Sequence, residues 1–381
     1  MIAMTLLALS LTVELPAGEV VADVKTVQDD AQSYALYLPT DYTAAHSWPV
    51  IFVFDPGARG LNGVERYQAA AEQYGYIVVC SNNARNGQPS QSAISATLSD
   101  VLTRFNVDTT RMYTAGMSGG ARLAMAVALV PAFKIAGVIA SSAGYPDDKT
   151  YKRLPFVLFE TAGTEDFNHL EMRKIDHELQ TPHHLAIFEG GHAWPPKALI
   201  LEAVEWLELQ AMQSGIKARD EREIAQLYAR RMQAMPDASD KQVFLALQDV
   251  VADFKGLQDV SALDARVKEL GRDKQVRKAV QQERDEDERE TRMLVNIWSA
   301  EDHLSAASER SERADILAEL RRYWRQYAEQ AQQLEDSPER RIARRVLSQL
   351  SAVGTKSTDE EYLQIVRQYR PVRSGRPFAE P

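Results

Sequence analysis

Apolar and polar positions follow two different periods along this chain, and the change falls near residue 210. Before it, short apolar runs alternate with stretches of helical spacing. Residues 33–38 (Ser-Tyr-Ala-Leu-Tyr-Leu) alternate and stop at Pro39, as a strand should. Residues 49–54 form a continuous apolar run ended by Asp55-Pro56-Gly57, the pattern of a strand buried on both faces of a parallel sheet. Further strands are predicted at 76–80, 112–115, 137–140, 156–161 and 184–188, with helices at 67–73, 92–104, 119–129 and 197–210. This alternation predicts an α/β fold, a mostly parallel sheet with helices on both faces. The ligand crevice of such a sheet lies at the carboxyl ends of its strands, so chemistry is to be sought just after each strand. From Arg222 onward apolar residues recur at steps of three and four (Val243, Leu247, Val250 and Val251; then Leu317, Leu320 and Tyr323), which predicts an all-α second half. Trp298, Tyr323, Trp324 and Tyr327 are expected between its helices, and the charged run 283–290 is expected to be a solvated helix face.

Composition sharpens the division. Charged residues are about twice as dense after residue 200 as before it, while 14 of the 19 glycines lie before it. We therefore expect an α/β domain over 17–212, a helical domain over 213–370 and a frayed tail over 371–381. With 44 basic against 54 acidic residues the net charge is −10, which argues against a protein that grips nucleic-acid backbones. A single cysteine, Cys80, excludes an intrachain disulfide and any multi-cysteine metal site. Residues 1–16 are largely apolar and end near Leu15-Pro16-Ala17, which suits either a signal peptide or a first strand. The first basic residue is Lys25, so the positive start of a signal peptide is missing; the balance leans to export over the cytoplasm. No apolar run approaches the roughly 18 residues that span a bilayer.

The chemistry-bearing motif follows the strand predicted at 112–115. Gly116-Met117-Ser118-Gly119-Gly120 runs at once into the helical Ala121-Arg122-Leu123-Ala124-Met125. G-x-S-x-G between strand and helix is a nucleophile elbow: the turn is tight enough to strain the serine and to exclude side chains two positions away. A serine needs a base, and the base an orienting acid. Glu165 and Asp166 follow the strand ending at Thr161, and His192 sits in the glycine-flanked loop after Phe188. The order Ser118, Asp166, His192 is the one expected on this architecture, with Glu165 the rival acid. His169, His177, His183 and His184 read as surface histidines rather than metal ligands. The backbone N–H of Gly119 is the expected first oxyanion donor, and Gly57, or failing it Ala58, the second, because Pro56 has no N–H. Asn82, Asn83, Arg85 and Trp194 lie on loops at the same edge and are candidate substrate contacts.

On these segments, together with Tyr34-Ala35-Leu36-Tyr37-Leu38-Pro39 and Gly163-Thr164-Glu165-Asp166, the first half resembles the α/β-hydrolase superfamily. It is most similar to the serine esterases of the polyhydroxybutyrate-depolymerase, feruloyl-esterase and dienelactone-hydrolase kind. The resemblance implies acyl transfer without metal or organic cofactor, on a small or polymeric ester. Many relatives have His-Gly where this chain has Asp55-Pro56, which leaves the geometry of the oxyanion hole open. Only 15 residues separate Ala140 from Phe156, too few for the lid that relatives insert there, so the site is either open or covered by the second half. Peptidases use the same scaffold, and a hydrolase fold without activity can bind a partner; the helical half would suit a protein partner or self-association.

Overall fold

The computed structural model describes residues 15–235, 237–354 and 357–369; most of the apolar N-terminal segment and the 371–381 tail lie outside the described residues. The strands are β1 (Val20–Lys25), β2 (Ser33–Tyr37), β3 (Trp48–Phe54), β4 (Ile77–Ser81), β5 (Val107–Met117), β6 (Gly137–Ser141), β7 (Val157–Gly163) and β8 (His183–Phe188). They form one sheet in the order β1-β2-β4-β3-β5-β6-β7-β8. The β1–β2 and β2–β4 pairs are antiparallel; every pair from β4–β3 to β7–β8 is parallel. The α/β architecture read from the sequence is therefore the one observed. All the parallel strands discharge their chains at one edge.

Helices α1 (Gly60–Tyr74), α2 (Gln91–Arg104), α3 (Gly119–Ala128), α4 (His169–Glu178) and α5 (Lys197–Ser214) cover the sheet. β3 shows why its run had to be apolar throughout. Val50, Phe52 and Phe54 pack toward α2, α3 and α4, while Ile51 and Val53 pack toward α1 and α5. Cys80 is fully buried in the second of these cores.

Helices α6 (Glu221–Gln233), α7 (Asp240–Phe254), α8 (Ser261–Leu270), α9 (Lys274–Ala306), α10 (Arg310–Ala331), α11 (Pro338–Val353) and α12 (Glu360–Tyr369) follow. α5 joins the two halves: Leu209 and Met212 share a core with Ile224, Leu227, Val250 and Phe254. Leu170 of α4 likewise joins the core of α9 to α12. Trp324 and Tyr327 are buried there as expected, whereas Trp298 is 36% exposed. The charged run 283–290 is a solvated face only in part: Arg284, Asp285 and Glu288 are exposed, but the opposite side is packed. Glu283, Asp287 and Glu290, spaced four and three apart, pair with Lys241 of α7, Arg173 of α4 and Arg345 of α11.

Glu160 is an oddity of the sheet. It is fully buried on β7, and neither carboxyl oxygen has a hydrogen-bond partner. Burial, then Asp176 and Glu171 nearby, push it well above the usual carboxylate range, so the folded chain holds a proton there. The unfolded chain releases that proton above about pH 4.3, so stability falls as pH rises through the interval up to the raised folded value. Glu160→Met is expected to stabilise the protein by about 1–3 kcal/mol near neutral pH, with the gain shrinking toward pH 4. Thermal melting across that range checks it; a gain independent of pH would refute the titration.

Candidate active site

β5 ends at Met117, and α3 starts at Gly119, leaving Ser118 alone on the bend at φ 55° and ψ −123°. That is a costly conformation for a residue with a Cβ. The flanking glycines have steric reasons. A Cβ on Gly116 would fall on the Gly120 carbonyl, and one on Gly120 would fall on the backbone carbonyl of Phe54 in β3. Ser118 is held by its N–H, which donates to Ser141 O at 2.8 Å.

Three loops at the strand carboxyl edge bring the predicted residues together. His192 Nε2 lies 2.8 Å from Ser118 Oγ, and His192 Nδ1 lies 2.9 Å from Asp166 Oδ1. The tautomer that carries its hydrogen on Nδ1 donates to Asp166 Oδ1 and leaves Nε2 to accept from the serine hydroxyl. Asp166 is fully buried, and its Oδ1 also accepts the Asn168 N–H at 2.8 Å. Phe167 stacks on the imidazole with ring centroids 3.9 Å apart. Asn168 Nδ2 donates to Ser142 O, and Ser142 Oγ to Ala193 O, so the ends of β6, β7 and β8 are tied to one another.

Glu165, the rival acid, points the other way: its carboxylate accepts from Arg344 Nη1 at 2.7 Å. Arg345 of α11 goes further in. Its Nη1 donates to Thr164 O at 2.8 Å while Nε and Nη2 donate to Glu290 Oε2 at 2.8 and 2.6 Å, all of it buried. Arg341 reaches Glu189 in the histidine loop. The helical half thus grips the acid loop and the histidine loop from behind; no sequence pattern signalled this.

The sequence reading took His169 and His184 for surface residues; His184 is buried and His169 half-buried. Burial, reinforced by nearby arginine charge, lowers each to about 3, so both are neutral. His184 stacks on Phe159, and His169 Nδ1 bonds to Gly163 O. No group of three or more potential ligands is placed to hold a metal among the described residues.

Other expectations need correction. The Gly57 N–H is already taken: it donates to Asp55 Oδ1 at 2.8 Å. The Ala58 N–H donates to Asp55 O. The Asp55 carboxylate is almost fully buried and also accepts from Arg59, Asn62 and Trp194. Its charge, stabilised chiefly by Arg59 against the cost of burial, is therefore firmly held below the usual range. Asn82 and Asn83 are not at the groove. Asn82 Nδ2 donates to Ala22 O and Ser33 Oγ, and the Asn83 amide bonds Ser33 N and Ala31 O, fastening β4 to the β1–β2 hairpin. Trp194 is an anchor: its Nε1–H reaches Asp55 Oδ2, and Arg66 sits over its ring.

Beside Gly119 lies an open groove of about 460 Å³ lined by Asp55, Pro56, Arg85, Asn86, Gly119 and Leu123 among others, all from the sheet half. Arg122, which pairs with Glu171, separates it from a second cavity of about 500 Å³ walled partly by Leu294 and Trp298 of α9. The segment between β6 and β7 carries no helix that could close over Ser118.

No family model matches the chain, and no curated protein matches it. Solved structures do. FphF, a fluorophosphonate-binding serine hydrolase of Staphylococcus aureus, is 14% identical, with 50% of this chain and 99% of that one aligned at a TM-score of 0.41. S-formylglutathione hydrolase (FrmB) from Staphylococcus aureus is 16% identical over 51% of this chain and 98% of that one, at 0.40. Dipeptidyl peptidase 4 of Porphyromonas gingivalis is 17% identical over 50% of this chain but only 35% of the peptidase, at 0.39. The sheet order, the elbow and the two late loops give the first half the architecture of an α/β-hydrolase.

Proposed function

We propose that this protein is a serine hydrolase that cleaves a carboxylic ester through an acyl-enzyme, with residues 17–212 as its catalytic domain and 213–370 as a helical domain packed behind it. The supporting observation is the unbroken hydrogen-bond chain from Ser118 Oγ through His192 to Asp166. As Oγ attacks the carbonyl, His192 Nε2 takes its proton, and the buried Asp166 carboxylate stabilises the imidazolium that results. The N–H of Gly119 at the start of α3 faces the oxygen that becomes negative; one such donor is worth about 3 kcal/mol of barrier. His192 then gives its proton to the leaving alcohol, and water, activated by the same base, releases the acid.

The wild-type chain is expected to react covalently with a fluorophosphonate and to turn over p-nitrophenyl esters while leaving peptide anilides intact. A faster rate on anilides would move the assignment to a peptidase. Absence of both labelling and turnover would leave a fold that binds rather than cleaves.

A further inference from the structure

The N–H groups of Gly57 and Ala58, the two expected candidates for the second position of the oxyanion hole, are both engaged by Asp55, as is that of Arg59. A different polar group lies beside Gly119. Asn86, on the loop after β4, is fastened by its own N–H to Pro56 O at 3.0 Å, so the two loops lie one on the other. From that anchor its side chain lies across Gly119: a Cβ on Gly119 would have Asn86 Cγ, Oδ1 and Nδ2 all within 2.6 Å. Asn86 and Gly119 line the same groove. Position 119 is glycine in this chain, and the room that its missing side chain leaves is filled by a carboxamide from elsewhere. A carboxamide carries two N–H donors, and rotation about its last bond aims them either way.

We propose that the Asn86 side-chain amide is the second oxyanion donor, a catalytic residue standing where a backbone N–H of the β3 loop would otherwise serve. This rests on the serine-hydrolase reading above. In the acylation step the Oγ–C bond forms, the carbonyl π pair moves onto oxygen, and the serine proton passes to His192 Nε2. The resulting O⁻ accepts from Gly119 N–H and from Asn86 Nδ2–H. The tetrahedral centre then collapses, the pair returns to re-form the carbonyl, and the alkoxide leaves with the proton from His192.

The experiment is steady-state hydrolysis of p-nitrophenyl acetate and butyrate by the full chain and by N86A, N86D, G119A and N86A/G119A, with melting temperatures for each. N86A is expected to lose about 100- to 1000-fold in kcat with KM nearly unchanged, the signature of a bond made only in the transition state. N86D, which replaces donor by anion, should lose at least as much. G119A should show a similar loss because its methyl displaces the amide, and N86A/G119A should be no slower than N86A, since the displaced group is already gone. A kcat for N86A within about threefold of wild type, a loss confined to KM, or additive losses in the double variant would each overturn the assignment. If G119A does not fold, N86A and N86D decide alone. An inactive wild type would instead sink the hydrolase reading, and the donor assignment with it.

Discussion

Ser118→Ala is expected to remove fluorophosphonate labelling altogether and to lower kcat on esters by roughly 10⁶-fold. Without Oγ there is no nucleophile for His192 to deprotonate, and the hydrogen bond now 2.8 Å long has no donor. The loss should come without loss of stability, because the elbow is held by backbone contacts rather than by the hydroxyl: Ser118 N–H to Ser141 O, and the glycine approaches at 116 and 120. A companion variant separates chemistry from architecture. Ser118→Gly should be just as inactive yet more stable than wild type by about 1 kcal/mol, because glycine adopts φ 55° without the Cβ penalty. Labelling that survives in Ser118→Ala would place the reactive serine elsewhere and dismiss the triad.

Asp166→Asn is the second large effect, an expected drop near 10⁴-fold in kcat. The asparagine keeps the shape of the buried site. Its amide can donate toward Nδ1, favouring the tautomer with hydrogen on Nε2, which cannot accept from Ser118. It also lacks the charge that stabilises the imidazolium. Glu165→Gln, one residue away, should stay within a few-fold of wild type, since Glu165 faces Arg344 and Arg340 rather than His192. The two variants measured side by side on one ester decide the acid; a reversed ranking assigns it to Glu165.

Much of the fold was legible beforehand for a simple reason. Strands buried on both faces must be apolar at successive positions, so β3, β4 and β6 announce themselves; every predicted strand of the parallel sheet was found, though β5 starts at Val107, five residues before the predicted 112–115. β1 was missed as a separate strand because only Val24 of it is buried. The elbow was legible because its glycines answer to backbone sterics acting across a few residues. Gly57 was misjudged because an amide's availability depends on what its neighbours accept, and the departure at Asp55 was the only warning. Asn82 and Asn83 were misjudged for a related reason: polar loop residues look alike until their partners are known.

By itself, then, the chain's pattern determined where the strands lie, where the bend carrying Ser118 comes, and the order in which acid and imidazole follow. These depend on burial and on local backbone geometry, both written in short stretches. Only the tertiary structure decided which of two adjacent carboxylates meets His192, that Asn86 lies over Gly119, and that Arg345 reaches Thr164 across 181 residues. Those pairings arise from how distant segments pack, and no local period encodes them.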